Sequence, residues 1–282
     1  MPSPSPTATL LPGVASPRVW HRLRALSAGA PPAGPTAGRA HGTVIHAGAQ
    51  ALYARFGDPA TGPVIGIAAR DAIQVPVTIR TTLRRLPVAT VGDPAEVRDA
   101  VLHVAGLAVS VERMLPTAAP VLADPLTADR LLAQALAEHD QDRIDAVRAQ
   151  LPAEALRALA AGDPAAVPPL LGRGDGLTPV GDDVLAGWLV AGHAVGRAIE
   201  PVRTAVRAHA HRTTTLSAAL LADAAAGECL PEFRALLLAL ATGHGVSPAV
   251  AALAAIGHTS GAGMLLGAHL ALPVPESERS PR

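Results

Sequence analysis

Residues 172–183 read GRGDGLTPVGDD, gathering four glycines, a Thr-Pro step and two adjacent aspartates in twelve positions. Gly172, Gly174 and Gly176 permit positive φ and let a ligand come close to the backbone. Thr178 is placed to cap a helix whose first residue is Pro179, where a missing N–H costs nothing. The next amides, those of Val180 and Gly181, then have no partner within the helix. A concave array of donors at the positive end of a helix suits phosphate or carboxylate. The helix terminus alone contributes only about 0.3–1 kcal/mol per charge, so tight binding also needs the loop amides and Arg173. Asp182 and Asp183 admit two readings. Carboxylates favour helix N-termini in general. Being consecutive, however, they point about 100° apart and cannot serve one cap, which leaves one free for a ligand, a cation or a reacting group.

A second stretch, IGHTSGAGMLLG, runs through His258, Thr259, Ser260 and Gly261 into another expected helix. Its hydroxyls can cap that helix and its glycines expose further donors. His258 is an acid or base near neutral pH, or a histidine satisfied in a helix–helix turn. The HAH of residues 209–211 lacks metal spacing on a helix, and no HExxH, GxSxG or CxxC occurs. All 23 basic residues are arginine, which excludes Schiff-base, P-loop and general-base lysines. The single cysteine, Cys229, has no partner for a disulfide and reads as a small buried residue.

Three blocks in order, GRGDGLTPVGDDVLAGWL, RTTTLSAALLADAAAGE and AIGHTSGAGMLLG, resemble the family of the oxamate carbamoyltransferase subunit AllH. The resemblance implies a subunit of an enzyme of anaerobic allantoin degradation that converts oxalurate and phosphate to oxamate and carbamoyl phosphate. It assigns the glycine-loop motif to Gly172, Gly174, Gly176, Leu177, Thr178, Pro179, Gly181, Asp182 and Asp183. The hydroxyl block falls on Thr215 and Ser217, and the last block on Gly257, His258, Thr259, Ser260 and Gly261. Val180 stands where the family usually has Ser, and Gly263 where it usually has Asp. Both departures remove polar groups from the implied site.

The elements that must hold these blocks change character along the chain. Residues 1–40 are rich in Pro, Ser, Ala and Gly and are expected to be a flexible segment, apart from an amphipathic turn in RVWHRLRALSAG. Residues 41–120 carry short Val- and Ile-rich runs (HGTVIHAGAQALYARF, GPVIGIAA, IQVPVTIR, LPVATV and VLHVAGLAVSVER), expected as an antiparallel sheet or small barrel. From about Leu126 the apolar spacing becomes three and four. Residues 121–275 are therefore expected to be mainly helical and to carry the site, with 276–282 a tail. Strands first and helices second predict an α+β fold, the β-rich half packed on the helical half. Gly187, Ala191, Gly192, Ala194 and Gly196 behind the glycine loop predict close contact with a neighbouring helix.

Net charge is zero, which gives no footprint for nucleic acid or an anionic membrane. The stretch from Ala235 to Pro275 has no Asp, Glu or Arg, but turn-forming TGHGVSP and GHTSGAG interrupt it, so it reads as buried helices. A cytoplasmic protein is expected, one that self-associates or joins other subunits. Three functional readings follow. The first is a carbamoyltransferase subunit that binds oxalurate, phosphate or carbamoyl phosphate. The second is a stand-alone enzyme in which Asp182 or Asp183 binds Mg²⁺. The third is a non-catalytic anion-binding scaffold.

Overall fold

The computed structural model describes residues 9–29, 38–59 and 61–273, which form two compact units divided at Pro116/Thr117. The expected tail 276–282 and the tip of the N-terminal segment lie outside the described residues.

The first unit is a closed barrel of eight strands: β1 (Thr9–Ala15), β2 (Arg39–Ala47), β3 (Ala51–Phe56), β4 (Val64–Ala68), β5 (Thr78–Arg80), β6 (Pro94–Arg98), β7 (Val101–Val104) and β8 (Leu107–Met114). They neighbour one another in the order β1-β5-β4-β3-β2-β6-β7-β8. Of the two architectures expected for this half, the barrel is the one formed. Most pairs are antiparallel, but β4–β5 and the closing β1–β8 pair are parallel. Asp99 and Ala100, at φ 53° and 59°, join β6 to β7, the left-handed two-residue turn that matches the twist of paired strands.

Val44, Phe56, Ile65, Ile67, Ile79, Val97, Leu102 and Val109 fill the interior together with Val19 and Leu23 of helix α1 (Pro17–Ala28). Residues 9–28 are thus a barrel strand, in a segment expected to be flexible, and a three-turn helix, on the stretch expected as an amphipathic turn. Pro12 and Gly13 disguise β1 in the sequence, and what makes it a strand is its long-range register, Thr9 against Leu107 through Ala15 against Met114. Ser16 then starts α1 by accepting the Val19 amide at 3.1 Å while donating to the Pro76 carbonyl. Conversely, LPVATV (86–91) forms no strand, and PAEVR (94–98) pairs in its place.

The second unit is helical: α2 (Pro125–His139), α3 (Gln141–Arg148), α4 (Ala153–Ala160), α5 (Val167–Leu170), α6 (Val180–Ala194), α7 (Glu200–Ala208), α8 (Thr215–Ala224), α9 (Pro231–Thr242), α10 (Val246–Ala254) and α11 (Ser260–Ala271). The helical period that begins near Leu126 breaks at Asp140 into α2 and α3. Helices α6 and α11 are apolar on nearly every face, as buried helices must be. They lie in backbone contact. A Cβ added at Gly187 would stand 2.1 Å from the Met264 carbonyl oxygen, and one at Gly267 would stand 2.1 Å from that of Val184. The predicted close approach therefore exists, with glycines from both helices. Asp183 faces Gly263 and Trp188 faces Gly267, so the two helices run in the same direction and both begin at the same end.

At the other end of α11 the carbonyls meet Arg197, which is buried at 4 % exposure. Its Nη1 donates to Ala271 at 3.1 Å and reaches Leu270 and Pro273, while Nη2 donates to Ala160 at the end of α4 at 2.5 Å. Its guanidinium carbon lies 5.1 Å from the centre of the Trp188 ring. Among the described residues no helix is long and apolar enough to cross a membrane.

Candidate functional site

Leu171–Pro179 is the loop that delivers the chain from α5 to α6. Gly172, Gly174 and Gly176 take φ of 75°, 112° and 91°. At Gly172 a Cβ would lie 2.2 Å from the Arg212 carbonyl oxygen, whereas at Gly176 it would meet nothing within 4 Å. One end of the loop is wedged and its tip is open. The wedged end uses its donors internally: the Gly172 amide bonds to Asp182 Oδ1, Arg173 to the Leu170 carbonyl and Gly181 to the Arg173 carbonyl. The amides of Gly174, Asp175, Gly176, Leu177, Thr178 and Val180 find no acceptor among the described residues.

Two further helix starts are tied to this loop by hydroxyls. Thr214 caps α8, its Oγ1 accepting the Ser217 amide at 3.0 Å and donating to the Leu177 carbonyl at 2.6 Å. Ser260, the first residue of α11, places its Oγ 3.2 Å from Thr178 Oγ1. The N-termini of α6, α8 and α11 therefore converge on one loop, and their partial positive charges add.

The two aspartates differ completely. Asp182 is 1 % exposed and accepts three hydrogen bonds: the Gly172 amide at 2.6 Å, the Ser217 hydroxyl at 2.6 Å and the Thr213 hydroxyl. This set clamps the loop to the start of α8. Asp183 is 7 % exposed, and its Oδ2 has no partner. Burial pushes its carboxyl up to about 8, and the Asp182 charge adds to the rise, while a hydrogen bond with Ser260 opposes it. One carboxylate is saturated. The other is held ready.

The sequence-predicted residues separate accordingly. The structure brings Gly172, Gly174, Gly176, Leu177, Thr178, Gly181, Asp182, Asp183, Ser217 and Ser260 together. Gly181 and Gly261 are close-packing positions, where a Cβ would stand 2.0 Å from the Leu170 oxygen and 1.9 Å from the Leu253 oxygen. Arg173 points away, its Nε donating to the Gln150 carbonyl at 2.9 Å. His258 is exposed and makes no hydrogen bond with either aspartate. Thr215 is the first residue of α8 and makes no side-chain hydrogen bond to the site. Thr259 occupies the cap position of α11 without a side-chain cap bond.

Thr178 is not the cap of α6. Pro179 takes that position and Val180 begins the helix, because the Thr178 hydroxyl is turned to Ser260 and the Pro179 carbonyl accepts the Asp182 and Asp183 amides. Thr213 and Thr214 were missed, although the run RTTT signalled three adjacent hydroxyls ahead of a helix.

Val180 and Gly263, the two departures from the resembled pattern, are neighbours. A Cβ at Gly263 would lie 2.9 Å from Asp183 Cβ and 3.5 Å from Val180 Cγ2. Together they surround Asp183 with apolar atoms and leave no room for a larger residue at 263. The oxygens of Asp182 are saturated by donors, and among the described residues no group of three His, Cys, Asp or Glu side chains gathers. Cys229 is buried, donates to the Thr117 carbonyl at 3.3 Å and has its thiol pushed up to about 12 by burial, as a structural residue would.

Residues 170–272 match the family model described as oxamate carbamoyltransferase subunit AllH, a span that holds the glycine loop, the hydroxyl run and the start of α11. No curated protein and no solved structure matches the chain.

Proposed function

We propose that this chain is a subunit of an oxamate carbamoyltransferase-type assembly that holds a small carboxylate or phosphate anion at the glycine loop. The observation that carries this reading is the convergence of three helix N-termini on a loop whose five amides from Gly174 to Thr178, with that of Val180, find no acceptor among the described residues. Backbone donors fixed in place stabilise negative charge without reorganising, which is the largest single contribution in many acyl and phosphoryl transfers. In the proposed reaction a hydrogen phosphate oxygen attacks the carbamoyl carbon of oxalurate. The new bond is C–O, the bond to the oxamate nitrogen breaks, and the phosphate proton passes to that nitrogen. The reaction needs no protein nucleophile; the loop's part is to position the anions and carry developing charge.

The test is thermal denaturation of the full chain with millimolar phosphate, oxalurate or carbamoyl phosphate. Ligand at one hundred times its Kd stabilises by about 2.7 kcal/mol, so a bound anion should raise the melting temperature clearly. Gly176→Ala should remove the shift, because φ 91° resists a side chain and the tip is where the backbone is open. If no anion stabilises the wild type, the loop is structural. Co-expression with the other subunits, assayed for carbamoyl phosphate, separates a catalytic subunit from a binding scaffold.

A further inference from the structure

The zero net charge of the chain conceals two unlike halves. Residues 1–116 carry eleven arginines against six Asp and Glu, whereas residues 117–282 carry twelve against seventeen. Within the basic first unit, a cavity of about 400 Å³ opens between α1, the start of β2 and the chain that joins β3 to β4. Arg22, Arg39 and His41 line it together with Ala25, Leu26 and Pro63, and among the described residues no Asp or Glu does. The strand register sharpens this charge. Arg39 stands directly across from Arg98 on β6, and like charges so placed repel. The neighbouring row is His41, Glu96 and His103, on β2, β6 and β7. Glu96 is the one acid in these two rows, and Arg39 engages it at 3.5 Å. Asp58, next to Gly57 at the cavity wall, is held by the Thr61 amide at 2.8 Å and the Thr61 hydroxyl at 2.9 Å.

We infer that this cavity is a second ligand site, one that takes a phosphate monoester with an apolar body. A cavity of this size, with apolar walls and a few polar groups, suits a small organic ligand. The charged end lies at Arg22 and Arg39, whose guanidinium groups match phosphate oxygens, with the His41 ring beside them. The apolar end lies on Ala25, Leu26 and Pro63. The two ends are not interchangeable. Gly29 closes α1 at the edge of the cavity, and the partial negative charge of a helix C-terminus keeps an anionic group away from it.

The facing pair of Arg39 and Arg98 decides between anions. A doubly charged phosphate offsets their repulsion more fully than a singly charged carboxylate, so the monoester is the better ligand. The apolar walls decide against inorganic phosphate, which has nothing to lay on them. Oxalurate, phosphate and carbamoyl phosphate all lack an apolar body, so this ligand class differs from the one proposed for the glycine loop. The two sites belong to different units and stand or fall separately.

The experiment is calorimetric titration of the full chain with phenyl phosphate. Phenylacetate, inorganic phosphate and benzyl alcohol are the comparison ligands, lacking in turn the second charge, the body and all charge. Phenyl phosphate should bind about tenfold tighter than each of them. Ala25 is exposed on α1, so Ala25→Glu brings a carboxylate to the cavity without disturbing the core, and should weaken phenyl phosphate about 100-fold. Ala25→Gln, of the same size without the charge, should cost about threefold or less. Arg39→Gln should cost about tenfold, and decides the matter if Ala25→Glu does not fold. Gly176→Ala, in the other unit, should leave the titration unchanged. No binding of phenyl phosphate at millimolar concentration would overturn the site, as would binding that survives both Ala25→Glu and Arg39→Gln. Binding lost in Gly176→Ala would place the ligand at the glycine loop and overturn it too. Inorganic phosphate or phenylacetate binding as tightly as phenyl phosphate would overturn the ligand class.

Discussion

At the C-terminal end of α11 the carbonyls of Leu270, Ala271 and Pro273 share one guanidinium nitrogen of Arg197, whose other terminal nitrogen closes α4 at Ala160. At the N-terminal end of the same helix Thr259 offers no side-chain cap, Ser260 turns toward Thr178, and five amides of the neighbouring loop, with that of Val180, find no acceptor among the described residues. Both ends are helix termini packed within one unit, and both present partial charge. The chain supplies the counter-charge at the negative pole and withholds it at the positive one. Asp182, in the first turn of α6, is engaged by three donors of its own. Helix ends completed from within belong to the scaffold, and ends left incomplete are open to water or to a ligand.

Removing the guanidinium from the closed pole should have the largest effect. Arg197→Leu orphans buried carbonyls on α4 and α11 and should destabilise by about 3–5 kcal/mol in urea unfolding, since each unsatisfied buried group costs about 1–3 kcal/mol. If stability barely changes, the contrast between the poles loses its structural half. Asp182→Asn comes next. It keeps the shape but strands at least one of its three donors, so about 2 kcal/mol should be lost, together with loop order, measurable as faster amide exchange over 172–178.

Asp183→Asn should act with the opposite sign. Its carboxyl is pushed up to about 8 in the folded chain by burial, against an ordinary value of 3.8. The native state therefore holds the proton between those pH values while the unfolded chain has lost it, and wild-type stability falls as pH rises from about 4 to about 8. The Asn variant lacks this slope. Its melting temperature should exceed the wild type's by a margin that widens across that window and levels off above pH 8, reaching at least about 1 kcal/mol. A margin that does not vary with pH would mean that Asp183 is ionised throughout. Thr178→Ala should be the mildest. As a helix cap it would cost about 0.5–2 kcal/mol; with only a 3.2 Å contact to Ser260, a loss near or below about 0.5 kcal/mol is expected.

Much of the site was legible because its signals are local. Glycine at 172, 174 and 176 reports a positive φ demanded by the backbone at each position, and all three adopt one. The change from alternating to helical period reports the two halves for the same reason. What stayed hidden depends on partners far along the chain. β1 is a strand because it meets β8 nearly a hundred residues later, and LPVATV has suitable residues but no neighbouring strand to accept its hydrogen bonds. Thr213 and Thr214 looked like any hydroxyl run until Asp182 and Leu177 were placed against them.

The adjacent aspartates draw the line most sharply. By itself the sequence determined that two carboxylates open a helix behind a glycine loop and, through the helical 100° step, that they cannot do one job. Which one is saturated and which is left with a bare oxygen was decided only by the tertiary structure. The parallel packing of α6 on α11 buries Asp183 against Gly263, and the start of α8 brings hydroxyls to Asp182 alone. Burial and hydrogen bonding set the charge of a carboxylate, and both come from residues that the fold brings close, wherever they stand in the chain.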